Sequence, residues 1–491
     1  MKKSILSILA FLTLASIFVA CSNKTEETPI PVAPKSTTVE VTGEIKTNKT
    51  WSADSIYLLK GFVYVSNGAT LTIKPGTIIK GDKASKGTLI ITRGSKIQAV
   101  GTVDKPIVFT SALASGGRAQ GDWGGIIILG KAPVNQGSDV KIEGGLTAPS
   151  GVASETPYIF YGGNDAADNS GALKYVRIEF AGIPFSPDNE INGLTMGGVG
   201  SGTSLEYIEV YRSGDDAFEW FGGTVNAKYL MAIGTWDDDF DTDFGYSGKV
   251  QFGLIQRAQV VADFSGSNGF ESDNNNTGTA VTPQTRAIFS NITLVGPLLS
   301  VTSTSNTNAN FQNAVQIRRN SSISIFNSLI TNYTEGIFID DALPAAGNNA
   351  SANFTAGTLV IKNNLIFGCN VKSNEVKGLN ATSKAIFEVG LRASNTFDAS
   401  KSITDLLTDP LKYGTDFKAT GNANLGTPNF TLKAASVAST GGVFTDAKFT
   451  GDTYFDKTIS YLGGFGTTDW TTGWASYDPQ LLPYTTPGAV K

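Results

Sequence analysis

The sequence predicts an all-β solenoid, in which short strands stack coil upon coil. Three observations lead there. One pattern recurs as Leu173-Lys-Tyr-Val-Arg-Ile, Leu205-Glu-Tyr-Ile-Glu-Val, Ala227-Lys-Tyr-Leu-Met-Ala and Val250-Gln-Phe-Gly-Leu-Ile, with looser copies from Ile288, Ile325 and Ile361. Upstream, brief β-branched runs such as Phe62-Val-Tyr-Val, Thr70-Leu-Thr-Ile, Thr88-Leu-Ile-Ile and Ile107-Val-Phe are separated by Asn67-Gly68, Pro75-Gly76, Arg93-Gly94 and Lys105-Pro106, which are turn signals. Runs that short cannot bury a core alone, whereas coils stacked at ~4.8 Å can.

The elements follow in chain order. Lys2 and Lys3 precede an apolar stretch, Ile5 to Ala20, so residues 1–20 read as a secretory leader. Phe18-Val19-Ala20-Cys21 resembles a bacterial lipobox, which implies lipid on Cys21 and a tether to a membrane. Loss of Lys2 and Lys3 with the leader takes the net charge from −5 to −7. Residues 21–38 carry Pro29, Pro31 and Pro34 without apolar periodicity and read as a flexible tether. The solenoid is expected over 39–370. Within it, Ser290-Asn291, Asn327-Ser328 and Asn363-Asn364 recur at similar places, so their side chains should stack along the axis and satisfy buried turn amides. Cys369 reads as a core thiol. From 371 the repeat fades, and 371–491 is expected to form an irregular C-terminal cap over the open end.

The stretches Gly68-Ala-Thr-Leu-Thr-Ile-Lys-Pro-Gly-Thr, Gly121-Asp-Trp-Gly-Gly-Ile, Ser213-Gly-Asp-Asp-Ala-Phe-Glu-Trp-Phe-Gly-Gly-Thr, Trp236-Asp-Asp-Asp-Phe-Asp-Thr-Asp-Phe-Gly and Asp469-Trp-Thr-Thr-Gly-Trp sharpen this picture. Together they resemble a family of uncharacterised Bacteroidetes outer-membrane lipoproteins. The coils resemble the pectate-lyase-like, right-handed parallel β-helix. The resemblance implies a fold and a place, the outer membrane with the lipid-anchored protein facing the cell surface. It brings no activity and no catalytic residues.

Composition narrows the chemistry. The chain has no histidine, which removes Ser-His-Asp and Cys-His triads and His-ligated zinc. Its net negative charge argues against a nucleic-acid partner. The notable cluster is acidic: residues 211–246 hold Asp215, Asp216, Glu219, Asp237, Asp238, Asp239, Asp241 and Asp243, offset by Arg212 and Lys228. On a strand Asp239, Asp241 and Asp243 share one face and repel. A hard cation such as calcium, basic side chains from adjacent coils, or water must compensate. Asp239-x-Asp241-x-Asp243 resembles the start of a calcium loop, but Phe244 and Val250 occupy the sixth and twelfth positions, so it is no EF-hand. The candidate metal ligands are Asp215, Asp216, Asp237, Asp239, Asp241 and Asp243.

Trp220, Trp236 and Tyr246 lie in the same stretch and are candidates for stacking on a sugar; core packing is the competing use. Arg177, Arg212 and Arg257 recur near strand ends. Calcium-dependent polysaccharide lyases of this fold use Arg or Lys as base, which makes Arg212, Arg257 and Lys249 candidate bases; ion pairing with aspartates would look the same in sequence. The leading expectation is a non-enzymatic, surface-anchored protein that binds a carbohydrate or an outer-membrane protein partner. A calcium-dependent polysaccharide lyase and a structural spacer or adhesin are the alternatives.

Overall fold

A computed structural model describes residues 38–186, 189–342, 349–412, 426 and 428–491. The leader, Cys21 and nearly all of the tether lie outside the described residues. Among the described residues no helix is long and apolar enough to cross a membrane.

The chain winds as a right-handed parallel β-helix with three strands per coil. The first sheet stacks Lys49–Trp51, Thr70–Ile73, Lys96–Val100, the leading halves of Gly171–Glu179, Ser204–Tyr211, Asn226–Ile233, Lys249–Gln256 and Ile288–Val295, then Ser324–Phe326 and Val360–Lys362. The second stacks Ile78–Gly81, Ile107–Ser111, the trailing halves of the same long strands, then Leu329–Thr331, Leu365–Phe367 and Thr396–Asp398. The third stacks Thr88–Ile91, Gly125–Leu129, Leu194–Gly197, Phe218–Phe221, Phe240–Asp243, Phe270–Ser272, Asn313–Ile317, Glu335–Ile339 and Val376–Lys377.

The recurring sequence pattern therefore spans a corner. Its third residue, the fourth in the copy counted from Ile288, bends the chain from the first sheet into the second with positive φ: Tyr175 50°, Tyr207 54°, Tyr229 59°, Phe252 63°, Asn291 59°, Asn327 51° and Asn363 62°. A left-handed residue other than glycine costs ~1–2 kcal/mol. The column offsets this along its length. The aromatic rings stack at 4.5, 4.2 and 4.9 Å, from Tyr175 through Tyr207 and Tyr229 to Phe252. The asparagines then take over, with Asn363 Nδ2 donating to Asn327 Oδ1 at 2.5 Å and Asn327 Nδ2 to Ser290 Oγ at 3.2 Å. The expected amide ladder is present.

The outer faces of the sheets are covered as well, which explains runs with no polar alternation such as Gly125–Leu129. A flank made of residues 130–165 packs Val134, Ile142, Leu146, Ile159 and Tyr161 against Ile90, Ile127, Leu129 and Phe221 of the third sheet. Residues 371–491, expected as one cap, divide in two. The helix Ala381–Ser394 closes the end, with Phe387 and Leu391 in the main core. Residues 429–491 instead run back along the side. Gly463 N donates to Asn327 O, Trp470 and Trp474 lie edge-on over the Tyr207 ring at 6.4 and 6.1 Å, Arg118 donates to Pro479 O, and Tyr484 and Val490 pack on Ile56, Ile78 and Val108 of the early coils. Half-buried tyrosine rings and buried charges along this flank need a cover, and the tail supplies it.

Candidate functional site

The acidic stretch occupies the third sheet of the central coils and the turns leading into it. Alternation along Phe218–Phe221 sends Phe218 and Trp220 inward and Glu219 and Phe221 outward. One coil on, Phe240 and Thr242 point in while Asp241 and Asp243 point out. Register then builds columns across coils. Thr195, Glu219, Asp241, Glu271 and Gln316 follow one another on the outer face. Asn192, Asp216, Asp238, Asn268 and Asn313 precede them in a parallel column, tied by backbone and side-chain bonds from coil to coil, such as Asp238 N to Asp216 Oδ1 at 2.8 Å and Asn313 N to Asn268 Oδ1 at 3.0 Å.

Two carboxylate triads converge here. Asp215, Asp216 and Asp237 bring one oxygen each within 4.8 Å of one another, and so do Asp216, Glu219 and Asp241. Among the described residues no ion pair reaches any of these five. The cations nearby are engaged elsewhere: Arg318 with Glu271 and with Asp273 at 2.9 Å, and Arg319 with Asp273 at 2.7 Å. Burial, with neighbouring carboxylates adding to it, pushes Asp215, Asp216, Glu219, Asp238, Asp241 and Asp243 well above the ordinary carboxylate range. Burial raises Asp237 and Glu271 to about 7, and Glu143 hydrogen-bonds Glu219. Asn192, 1% exposed, directs its amide at Glu219, donating to that carboxylate and to Thr195 Oγ1 at 3.3 Å; its Oδ1 oxygen is buried without a donor.

Several expected site residues lie elsewhere. Asp239 does not join the outward row: it sits before the strand, fully buried, and accepts from Arg257 Nη1 at 2.9 Å. Asp243 faces outward but accepts from the backbone N–H of Phe244, beside Asp273. Trp220 and Tyr246 are not a ligand face; both are 0% exposed and stack on each other at 5.2 Å inside the core, because alternation places Trp220 on the same side as Phe218. Trp236 is half-buried against the cluster containing Phe180 and Tyr211.

The three arginines form no column. Register aligns Arg177 with Glu209, while Arg212 stands one coil below Gly234 and two below Arg257. Arg177 pairs with Glu179 and is closed over by Tyr484 and the carbonyl of Val490. Arg212 is buried over the Tyr211 ring, its Nε donating to Tyr211 Oη at 3.3 Å. Lys249 opens a first-sheet strand and pairs with Asp452 of the tail, away from the acidic face. Cys369 is buried, and burial pushes its thiol up to about 12, as befits a core residue.

Two features were missed from sequence. Glu219 was counted among the acids but not as a partner of Asp216 and Asp241; only register across coils unites them. Phe264, 79% exposed, stands at the rim between Asp263 and Ser265, whose Oγ donates to Asp237 Oδ2 at 3.1 Å. A lone phenylalanine in Val-Ala-Asp-Phe-Ser carries no sequence signal of exposure.

A family model described as a pectate-lyase like beta helix domain matches residues 43–404. No curated protein matches the chain. Among solved structures, the crystal structure of the Dettilon tailspike protein is similar at 11% identity and a TM-score of 0.22, over 67% of this chain. The match spans 61% of that tailspike chain.

Proposed function

The chain belongs to the pectate-lyase-like β-helix domain family, and from that premise we propose that it is a lipid-anchored protein of the outer-membrane surface that binds a carbohydrate on its central acidic face without cleaving it. One observation carries the choice of binding over catalysis: the basic groups around that face are held in ion pairs. Arg257 is locked to Asp239, and Arg318 is held between Glu271 and Asp273. A lyase base must give up its proton near neutral pH. Burial alone would lower Arg318, but the two carboxylates outweigh it and hold the guanidinium above its ordinary range. Of the other two candidate bases, Lys249 is engaged by Asp452 on another sheet, and Arg212 is buried over the Tyr211 ring with its Nε donating to Tyr211 Oη. A spacer has no use for five converging, unpaired carboxylates, since burying them is costly.

Exposed Phe264 beside these carboxylates supplies an apolar surface for a sugar ring, the part expected of Trp220 and Trp236. The test is to incubate the mature protein with a panel of polysaccharides and follow both retention and unsaturated product. Saturable retention, weakened at least tenfold by Phe264→Ala, with no unsaturated product is the expected result. Steady product formation lost in Arg318→Ala would establish the lyase alternative instead.

A further inference from the structure

Charge is divided unevenly along the chain. Residues 38–131, which build the first coils, carry 12 Lys and Arg against 6 Asp and Glu, a net +6, whereas residues 132–491 carry 22 against 35, a net −13. Among the described residues, ion pairs engage only Lys46, Lys60, Lys83 and Arg93 of those twelve. Later lysines of the first sheet do find partners, Lys174 with Glu206 at 2.7 Å and Lys249 with Asp452 of the tail. In the early coils Lys49, Lys74, Lys105 and Lys131 are exposed and Lys96 half-buried, all five without an ion pair among the described residues.

These five surround the coils instead of following one strip. Lys49 and Lys96 stand on strands of the first sheet. Lys74 and Lys105 sit where successive coils turn from the first sheet to the second, the two turns being joined by Gly76 N donating to Lys105 O at 3.1 Å. Lys131 follows the third-sheet strand Gly125–Leu129, and its ammonium lies over Gly94, where a Cβ would come within 2.8 Å of Nζ. The collar belongs to the end at which the chain enters the solenoid: Thr38–Ile45 is the outermost strand of the stack and pairs only with Ile56–Val65. Seventeen residues separate Thr38 from Cys21, so an anchor at Cys21 keeps this end within ~60 Å of a membrane.

We propose that this basic collar is a docking surface for an anionic membrane, its lysines meeting the phosphates of lipid headgroups. Charge complementarity and place in the chain select that partner together. Unpaired ammonium groups act on a charged surface only within about 10 Å, and the anchored end is the part of the molecule brought that close. The net-negative remainder is repelled by the same surface, so the collar meets it and the acidic face of the central coils stays away from it. Each Lys near an anionic leaflet strengthens binding ~5-fold.

The proposal rests on the anchored reading for the source of the phosphates, and its test omits the lipid so that the two can fail separately. Residues 21–491, produced without lipid, are sedimented with vesicles of phosphatidylcholine alone and of equal parts phosphatidylcholine and phosphatidylglycerol. Binding to the second only, weakened by added salt, is expected. The triple variant Lys74→Gln, Lys96→Gln, Lys105→Gln should lose at least ~10-fold in affinity. A matched variant at the other end, Lys362→Gln, Lys384→Gln, Lys401→Gln, removes the same charge and should bind as the parent does. If the collar variant does not fold, Lys74→Gln alone carries the test with a loss of ~5-fold. Equal binding to both vesicles, or equal losses in the two triple variants, overturns the proposal. So does retention on immobilised DNA with no vesicle binding, which would assign the collar to another polyanion. Anionic vesicle binding by a protein whose Cys21 carries no lipid in the cell would uphold the collar and remove the anchor.

Discussion

Asp239 and Arg257 show what a single buried pair decides. Neither side chain reaches solvent, the two meet at 2.9 Å, and Arg257 also donates to Asp237 O at 2.7 Å and lies over the Phe311 ring at 5.0 Å. Removing one partner strands the other charge, so Arg257→Met should cost ~3–5 kcal/mol, and the double variant with Asp239→Asn should recover part of it. Urea unfolding of the three proteins checks this; a double variant no better than Arg257→Met would deny the coupling. Glu209 gives the pH prediction. It is buried beside Arg177 and Glu179 and accepts from Ser476 N at 2.9 Å; burial raises its pKa to about 8. A folded pKa above the unfolded value means the native state holds the proton more tightly, so this group's contribution declines as pH rises from ~4.5 to about 8, by up to ~1.4 kcal/mol per pH unit. Glu209→Gln keeps the acceptor for Ser476 and loses the titration. Its stability should match wild type near pH 5 and exceed it at pH 9; parallel pH profiles would refute the assignment.

At the scale of the element, the corner column and the tail depend on each other. Tyr175, Tyr207 and Tyr229 are half-buried with Trp470 and Trp474 laid across their stack, Trp474 5.8 Å from the Tyr175 ring. Trp474 Nε1 donates to Trp470 O, so the indole also shapes the turn that carries it. Trp474→Ala should therefore cost ~3–5 kcal/mol and release the tail locally before the coils unfold. Limited proteolysis should then cut within 463–491 while leaving the solenoid intact. Cleavage only upon global unfolding would show that the tail is not a separate cooperative unit. The asparagine half of the column is covered too: besides the bonds from coil to coil, Asn291, Asn327 and Asn363 donate to the tail carbonyls of Tyr461, Val443 and Gly441.

For the whole molecule, the acidic face lies on the third sheet of the central coils, while the tail covers the corner between the first and second sheets, so the tail does not occupy the face proposed for the ligand. The proposed membrane attachment rests on Cys21, outside the described residues, and is tested in the cell. Cys21→Ser should abolish lipidation and shift the protein from the membrane fraction to the soluble or unprocessed fraction. Unchanged membrane retention would remove the anchor from the proposed function.

The sequence by itself determined the architecture, because what specifies a coil is local: β-branched runs of a few residues, turn dipeptides, and a bend residue recurring at the corner. The amide ladder was legible for the same reason, since Asn291, Asn327 and Asn363 occupy equivalent positions in a repeating unit. Alternation also placed Asp241 and Asp243 on one face. It could not say which face is inward, and on that choice Trp220 passed from candidate ligand contact to core. Only the tertiary structure decided that Asp239 turns to Arg257, that the last sixty-odd residues strap the flank, and that Asp216 meets Glu219 and Asp241. These outcomes depend on inter-coil register and on charged side chains brought to partners from 18 to 313 positions away in the chain. Strand periodicity carries no information over such separations; burial of the assembled coils does.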